Sequence, residues 1–373
     1  MEAPSPELPP SDRLSAGDRT EGDRAGAATS VWATIGRWTL YIGRRLLTAV
    51  IAILGVVLVV FVVTRLIGDP VYLILGQRAS EENVAELRAQ LGYDRSIVVQ
   101  FVDYLGNLSQ GDFGVSQFTQ RPVADEIWNR FPATLELSVA AMFLGLLWTI
   151  PLGVISALRP RGIVDRISQS IVEFGVAIPS FLLGLLLIYV FYYHLGVAPT
   201  PVGELGIGTE PPPDRTGFVV IDAVLAGQWG TLGEALSRLV LPAVTLAITA
   251  CPPILQLTRN SMISVLQSDF IRSARSLGLP QRTITWQYAL RNALLPVLSM
   301  TAMTFGFLLG GTVLVENVFA WPGIGLYAVD SMERSDYEPV VGVTILAAAV
   351  YVLAYLIADL VSMAVDPRVR GKG

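Results

Sequence analysis

The sequence predicts an all-α integral membrane protein of six transmembrane helices, with both termini on the cytoplasmic side. Three observations carry that prediction. Of 373 residues, 52% are hydrophobic and 15% charged, whereas an ordinary soluble domain carries roughly a quarter charged residues. The apolar residues gather into runs at approximately Leu46–Ile67, Ala133–Leu158, Ile171–Leu195, Leu239–Leu257, Leu294–Val315 and Val340–Val365. Each is long enough to cross about 30 Å of hydrocarbon at about 1.5 Å per residue. The segments between the runs alternate in charge, which sets orientation through the arginine bias of cytoplasmic loops.

The elements follow in order. Residues 1–36 are rich in Pro, Ser, Gly and Ala, with alternating charges from Glu2 to Arg24. Such a segment cannot bury enough apolar surface to offset its ordering entropy, so a disordered cytoplasmic tail is expected. It lacks the basic start and apolar stretch of a signal peptide. A short amphipathic stretch, Val31 to Tyr41, then leads into the first span, making 37–67 an entry helix plus membrane helix. Arg37, Arg44 and Arg45 precede that span, Arg159, Arg161 and Arg166 separate the second and third, and Arg368, Arg370 and Lys372 follow the sixth. The alternate loops are acidic, with Glu204, Glu210, Asp214, Asp222 and Glu234 in one and Asp330, Glu333, Asp336 and Glu338 in the other.

The outer segment 68–132 is expected to be partly helical. Ser80 suits an N-cap, Val84, Leu87 and Leu91 make one apolar face, and Ile97, Phe101, Tyr104, Leu105 and Leu108 make a second. The loop 196–238 holds Pro199, Pro201 and Pro211-Pro212-Pro213 and is expected to be irregular. Within the spans, Pro179 and the tandem Pro252-Pro253 are expected as kinks in a packed bundle.

Composition also excludes function classes. One cysteine, Cys251, leaves no internal disulfide or multi-cysteine metal site. One histidine, His194, leaves no paired-histidine metal motif. An intramembrane serine protease is the alternative of a different class; against it stand the place of His194 near a surface and the lack of a Gly-x-Ser-x-Gly elbow. Proteolysis by the purified chain without partners would revive it. His194 stands beside Tyr192 and Tyr193, as in an interfacial aromatic belt. The single lysine, Lys372, opens no helix, so no phosphate-binding P-loop exists. The net charge of −5 gives no basic footprint for nucleic acid. A secondary carrier would typically show inverted repeats, and no clear internal repeat is present.

The cytoplasmic segment between the fourth and fifth spans is the most informative. Ile263, Leu266, Phe270, Ala274 and Leu277 recur at helical spacing, and Gly278 followed by Pro280 ends the run. An amphipathic helix there suits either a lipid interface or a docking partner, and amphipathicity alone does not separate the two.

The run Asp269-Phe-Ile-Arg272-Ser-Ala274-Arg275-Ser-Leu-Gly278, with Tyr288-Ala-Leu-Arg-Asn292-Ala-Leu-Leu-Pro296 after it, resembles the cytoplasmic loop of ABC importer permeases in their peptide-importer form. The resemblance extends through Gly111-Asp-Phe-Gly-Val-Ser116, Phe131-Pro-Ala-Thr-Leu-Glu136, Ile178-Pro179-Ser180-Phe181, Phe307-Leu-Leu-Gly310-Gly311, Val315-Glu316, Val318-Phe-Ala-Trp321-Pro322-Gly323-Ile-Gly325 and Asp366-Pro367-Arg368-Val-Arg370. It covers roughly residues 39–370 and is specific to the B-type permease of dipeptide and oligopeptide systems. Leu277 departs from it, standing where a lysine is common.

The resemblance implies a permease core over 133–370, followed by a short tail at 371–373. It implies a coupling helix that meets an ATPase through Asp269, Phe270, Arg272, Ala274, Arg275 and Gly278. It further implies a homologous second permease, two ATPase subunits or one fused pair, an extracytoplasmic solute-binding protein, a peptide substrate and surrounding lipid. Related systems carry nickel chelates or other small solutes. ATP and Mg would sit on the partners, with no cofactor or metal on this chain and no enzymatic role for it.

Four acidic residues lie within or at the ends of apolar runs: Glu136, Glu173, Glu316 and Asp359. Exposing a carboxylate to lipid costs about 3 kcal/mol or more, so each is a candidate for the translocation path. The bland alternatives are helix-dipole stabilisation for Glu136 and Glu173, and interfacial water for Glu316 and Asp359.

Overall fold

The computed structural model describes residues 42–64, 80–90 and 94–365, which are mostly helical with no strand among them. The expected N-terminal tail and entry stretch, the segment 366–373, and the side chains of Val84, Leu87 and Asp359 lie outside the described residues. The chain divides into two units, Met1–Ile51 and Ala52–Gly373. Residues 42–51 of the first are the opening turns of helix α1, Ile42–Thr64, whose mean hydropathy reaches 3.3. The second unit contains every other described element.

On the acid-rich end, α2 (Glu81–Gln90) and α3 (Ile97–Ser109) follow α1. The long α4, Val123–Leu158, starts well before the expected Ala133 and contains Pro132 and Pro151 without ending at either. The expected third span is two helices, α5 (Ile163–Ala177) and α6 (Ser180–His194), bent by 107° at the break. Pro179 explains the break, because it lacks an amide donor and forces Ile178 into an extended conformation with ψ 128°. The last turns of α6, Ile188–His194, are π-helical, and Tyr189 stacks on Tyr193 with ring centroids 5.7 Å apart.

The fourth span also differs from expectation. Helix α7 (Val219–Ala226) precedes α8 (Trp229–Ala250), which stops at Cys251. Pro252 and Pro253 then occupy the first positions of a separate helix, α9, Pro252–Leu266. Proline suits that place because the first turn of a helix has no intrahelical acceptor for its missing amide. The two prolines therefore open a helix and do not kink one. A short α10 (Asp269–Ser276) turns the chain into α11, Gln281–Gly311, and α12 (Val313–Val318), α13 (Ile324–Glu333) and α14 (Tyr337–Val365) complete the fold.

The central core gathers Leu137, Ala141, Leu246, Cys251, Ile254, Val297, Leu308 and Trp321 from α4, α8, α9, α11 and the turn after α12. Small residues allow the approach, as helix contacts in membranes require. A Cβ on Gly153 would stand 2.8 Å from the Thr258 side chain.

The turn that carries Glu316 closes the acid-rich end. Glu316 is 0% exposed. Its Oε1 accepts the hydroxyls of Thr134 and Thr312, each at 2.8 Å. Its Oε2 accepts the amides of Gly325 at 2.7 Å and Leu326 at 3.1 Å, two of the unpaired donors in the first turn of α13. Thr134 also accepts the Ile324 amide at 2.9 Å, and the Trp321 indole donates to the Ala133 carbonyl at 2.9 Å. One carboxylate thus ties α4, α12 and α13 together. Gly323 and Gly325 leave room for it, since a Cβ at Gly325 would stand 2.6 Å from the Val313 backbone. A second acidic latch lies nearby. Buried Asp336 accepts the Ser116 hydroxyl at 2.6 Å and the Gln117 amide at 3.1 Å, seating the Gly111–Ser116 motif.

Removing a buried acceptor leaves its donors unsatisfied, at about 1–3 kcal/mol for each group. Glu316→Ala is therefore expected to lower the thermal midpoint of the purified protein sharply, and Glu316→Gln, which keeps one carbonyl acceptor, to lower it less. Equal stability of Glu316→Ala and the parent in a melting experiment would contradict this role.

Candidate functional site

Helix α10 is built to be held on one side and free on the other. Ile271 and Ala274 are 0% and 7% exposed, packed with Val154 and Ala157 of α4, Met262 of α9, and Ile284, Ala289 and Ala293 of α11. Phe270 and Leu277 are 46% and 81% exposed. The expected continuous face of Ile263, Leu266, Phe270, Ala274 and Leu277 is therefore divided. The chain turns between Leu266 and Asp269, shifting the helical phase so that Ile271, which the sequence reading passed over, becomes the anchor. An apolar residue beside Ala274 at i+3 was the available signal.

The remaining residues of this site are arranged around that free side. Asp269 and Arg272 form an exposed pair at 3.4 Å, and Arg275 is exposed in the last turn of α10. Gly278 adopts φ +75°, and the Leu279 amide returns to the Ala274 carbonyl, closing the helix as left-handed glycines do. A side chain at Gly278 would meet open space within this chain. Beside α10, the start of α11 includes a π-helical segment, Ile284–Ala289, and a shallow concavity of about 360 Å³ lined by Arg282, Thr283, Trp286 and Gln287. Arg259 of α9 clamps Asp165 of α5 through two hydrogen bonds at 2.5 and 2.8 Å, so the helix leading into α10 is braced against the bent pair α5–α6.

The acidic candidates do not converge. Glu173 is exposed on α5, Glu316 is enclosed in the turn described above, and the Asp359 side chain lies outside the described residues. Glu136 is half-buried on α4 and accepts the Val220 amide at 3.4 Å. It stands with two acids that were read only as loop charges, Glu204 and Asp222, each within electrostatic reach of it. Burial opposes the charge on Asp222, but the amides of Arg215, Thr216 and Gly217 and the Thr216 hydroxyl outweigh it and hold the carboxyl below its ordinary range. Glu204 has no comparable donors, and its Oε1 is buried without a hydrogen-bond partner. Burial first, and the neighbouring Glu136 second, push it from 4.5 up to about 8. The segment 196–238 is irregular only over 196–218, since its second half is helical in α7 and the start of α8. The irregular part, which bears Glu204, is held by Glu234, which accepts the Gly206 amide at 2.8 Å and the Thr209 hydroxyl at 2.6 Å. Among the described residues no group of His, Cys, Asp and Glu side chains could hold a metal.

Among the described residues five helices, or six if the bent pair is one span, are long and apolar enough to cross a membrane, which is the architecture of a multi-pass membrane protein. The family comparisons agree: residues 149–371 match the binding-protein-dependent transport system inner membrane component family, and residues 39–138 match its N-terminal membrane-component model. The chain belongs to this family of bacterial inner-membrane, multi-pass permeases. Among its relatives, the probable D,D-dipeptide transport system permease protein DdpB of Escherichia coli K12 is 41% identical, covering 87% of this chain and 96% of its own length. The di/tripeptide transport system permease protein DppB of Pseudomonas aeruginosa is 38% identical, with 88% and 98% covered. The glutathione transport system permease protein GsiC of E. coli K12 is 35% identical, with 89% and 99% covered. A chain of the MetNI methionine ABC transporter, solved in inward-facing conformations, aligns at 20% identity with a TM-score of 0.46, over 65% of this chain and 96% of its own.

Glu204 supplies a pH prediction. A carboxyl that titrates near 8 when folded and 4.5 when unfolded contributes stability that is full below 4.5 and is lost as pH rises through about 8. Glu204→Gln removes that dependence. The melting temperature of the parent is expected to fall relative to Glu204→Gln between pH 5 and 8, by the equivalent of roughly 1–3 kcal/mol. Parallel pH profiles for the two proteins would contradict the assignment.

Proposed function

We propose that this chain is one of two homologous permease subunits in an ATP-driven importer of dipeptides or short oligopeptides. Its arginine-rich end, with α10, faces the cytoplasm, and the acid-rich end faces a solute-binding protein that delivers the peptide. The observation that carries the reading is the divided apolar content of α10. Ile271 and Ala274 fix the helix to the bundle while Phe270 and Leu277 are left uncovered beside Arg272 and Arg275. A rigidly seated helix with an apolar and basic free side suits an acidic-rimmed cleft on a partner subunit. The substrate class rests on the relatives, which are named for dipeptide, di/tripeptide and glutathione transport.

ATP binding and hydrolysis belong to the partners in this proposal, consistent with the lack of a P-loop in the sequence. Closure of the partner subunits would push α10 as a rigid body, and the Asp165–Arg259 brace would carry α5 and α6 with it. The chain breaks no covalent bond. It shifts between two arrangements, and the peptide crosses between this subunit and its homologue. On the acid-rich side, Glu136 is the residue assigned to the path, where its charge would favour the ammonium group of an entering peptide.

Arg275→Glu and Leu277→Asp alter exposed side chains and are expected to leave membrane levels normal. Each should reduce peptide uptake and retention of the ATPase subunits by roughly tenfold, the equivalent of about 1.4 kcal/mol. Gly278→Trp should do the same by bulk, with Gly278→Ala, which shares the backbone strain at φ +75°, separating strain from steric exclusion. Uptake at the parent rate by Arg275→Glu and Leu277→Asp together would overturn the docking assignment.

A further inference from the structure

Helices α4, α5 and α9 pack as a trio, and two of them carry a polar stripe that no described residue covers. Helix α5 is seated by Ser168, which meets Ser156 of α4 at 2.7 Å, and by Asp165, which accepts Arg259 of α9 at 2.8 Å. At about 100° per residue, Arg166, Ser170 and Glu173 fall on the far side of the Asp165 contact from Ser168. All three are exposed. On α9, Leu255 and Thr258 face Gly153 of α4, and Arg259 faces α5. The exposed residues of Pro252–Leu266 are Gln256, Asn260 and Ser264, all polar and each about one turn apart. They too fall beyond the α5 contact from α4. Both stripes therefore share the side of the α5–α9 pair that is turned away from α4. The uncovered stripe of α4 is different in kind, formed by Val139, Phe143 and Leu147.

The polar side reaches hydrocarbon depth. A Cβ on Gly153 would touch the Thr258 side chain. Gly153 stands about 7.5 Å along α4 from Leu158, the last apolar residue before Arg159. Gln256 is about 3 Å farther in along α9. On α5, Asp165 is level with Arg259, and a Cβ on Gly175 would meet the Pro252 ring, so Glu173 is deeper still. A carboxylate at that depth faces protein or water, because lipid is too costly. The helix break just past it points the same way. Ile178 is extended and Pro179 is exposed, whereas non-helical backbone at membrane depth occurs only where it is buried in protein or lines a water-filled cavity. The side chains suit a peptide. Gln and Asn amides both donate and accept, as peptide groups do, so they can pair with a backbone whatever its side chains.

Resting on the importer reading above, we propose that Glu173, Gln256 and Asn260 form this subunit's wall of the inner half of the translocation path. The backbone of the passing peptide exchanges hydrogen bonds with the two amides, and its ammonium group meets Glu173. Ser264 continues the wall toward the arginine-rich end.

The test uses the complete transport system in lipid nanodiscs, with Glu173→Cys, Gln256→Cys, Phe143→Cys or Leu147→Cys in this chain. Cys251 is buried and stays as the unlabelled background. A charged, water-soluble methanethiosulfonate should modify positions 173 and 256 at least about tenfold faster than 143 and 147, since the reactive thiolate forms in water. Equal rates at the four positions would overturn the proposal. A second readout is the double variant Gln256→Leu with Asn260→Leu, which changes exposed side chains only. Membrane levels and ATPase retention should be unchanged, while uptake of a dipeptide probe falls at least about fivefold through the lost hydrogen bonds. Uptake at the parent rate would overturn the proposal by leaving the stripe no contact with the peptide. Either failure is distinct from loss of ATPase capture at α10, which tests the importer reading itself, because the labelling needs no peptide and neither set of variants alters α10.

Discussion

The carboxylate of Glu316 is the constraint on which the acid-rich half of the structure depends. It has no solvent exposure and accepts four hydrogen bonds from three separate elements. The motif around it becomes intelligible once that position is fixed. Trp321 must reach back to the Ala133 carbonyl, Gly323 and Gly325 must lack side chains for the carboxylate to fit, and Thr134 must both donate and accept. A carboxyl group that is costly to bury in an apolar setting becomes a strong joint when both its oxygens are engaged in hydrogen bonds.

The two ends of the bundle solve different problems. At the acid-rich end, Glu316 and Asp336 fasten loops to helices, so the long connection before α4 and the turn before α13 behave as parts of the bundle. At the arginine-rich end, the chain leaves α10 partly uncovered but pins both neighbours of that helix. Asp165 and Arg259 join α5 to α9, and Ile271 and Ala274 join α10 to α4 and α11. The proposed docking role would need both an open face and a stiff mounting, and α10 has both.

Much of this was legible in the sequence. Hydropathy located the membrane helices, and the spacing of Phe101, Tyr104, Leu105 and Leu108 marked the packed face of α3. The misplacements have physical reasons. Pro252-Pro253 read as a kink because a continuous apolar run hides the stop at Cys251, and prolines that open a helix look the same in sequence as prolines inside one. Pro179 read as tolerable within one span, but it separates two helices bent by 107°. The periodicity across 263–277 reads as one helix, but the chain turns between Leu266 and Asp269, which moves the buried position from Phe270 to Ile271. Glu316 read as a path candidate because an intramembrane acid is usually functional. Its actual donors are separated from it by up to 182 positions in sequence, at Thr134, and no local pattern reveals them. Glu204 and Asp222 read as loop charges for the same reason.

The most direct measurement is site-specific photocrosslinking from α10 in membranes that contain the complete transport system. A photoreactive amino acid in place of Leu277, which is 81% exposed, is expected to capture an ATPase subunit, and one in place of Ile271, which is buried, to capture only segments of this chain. Capture of lipid alone from position 277, with the ATPase present and transport active, would contradict the docking role of this helix.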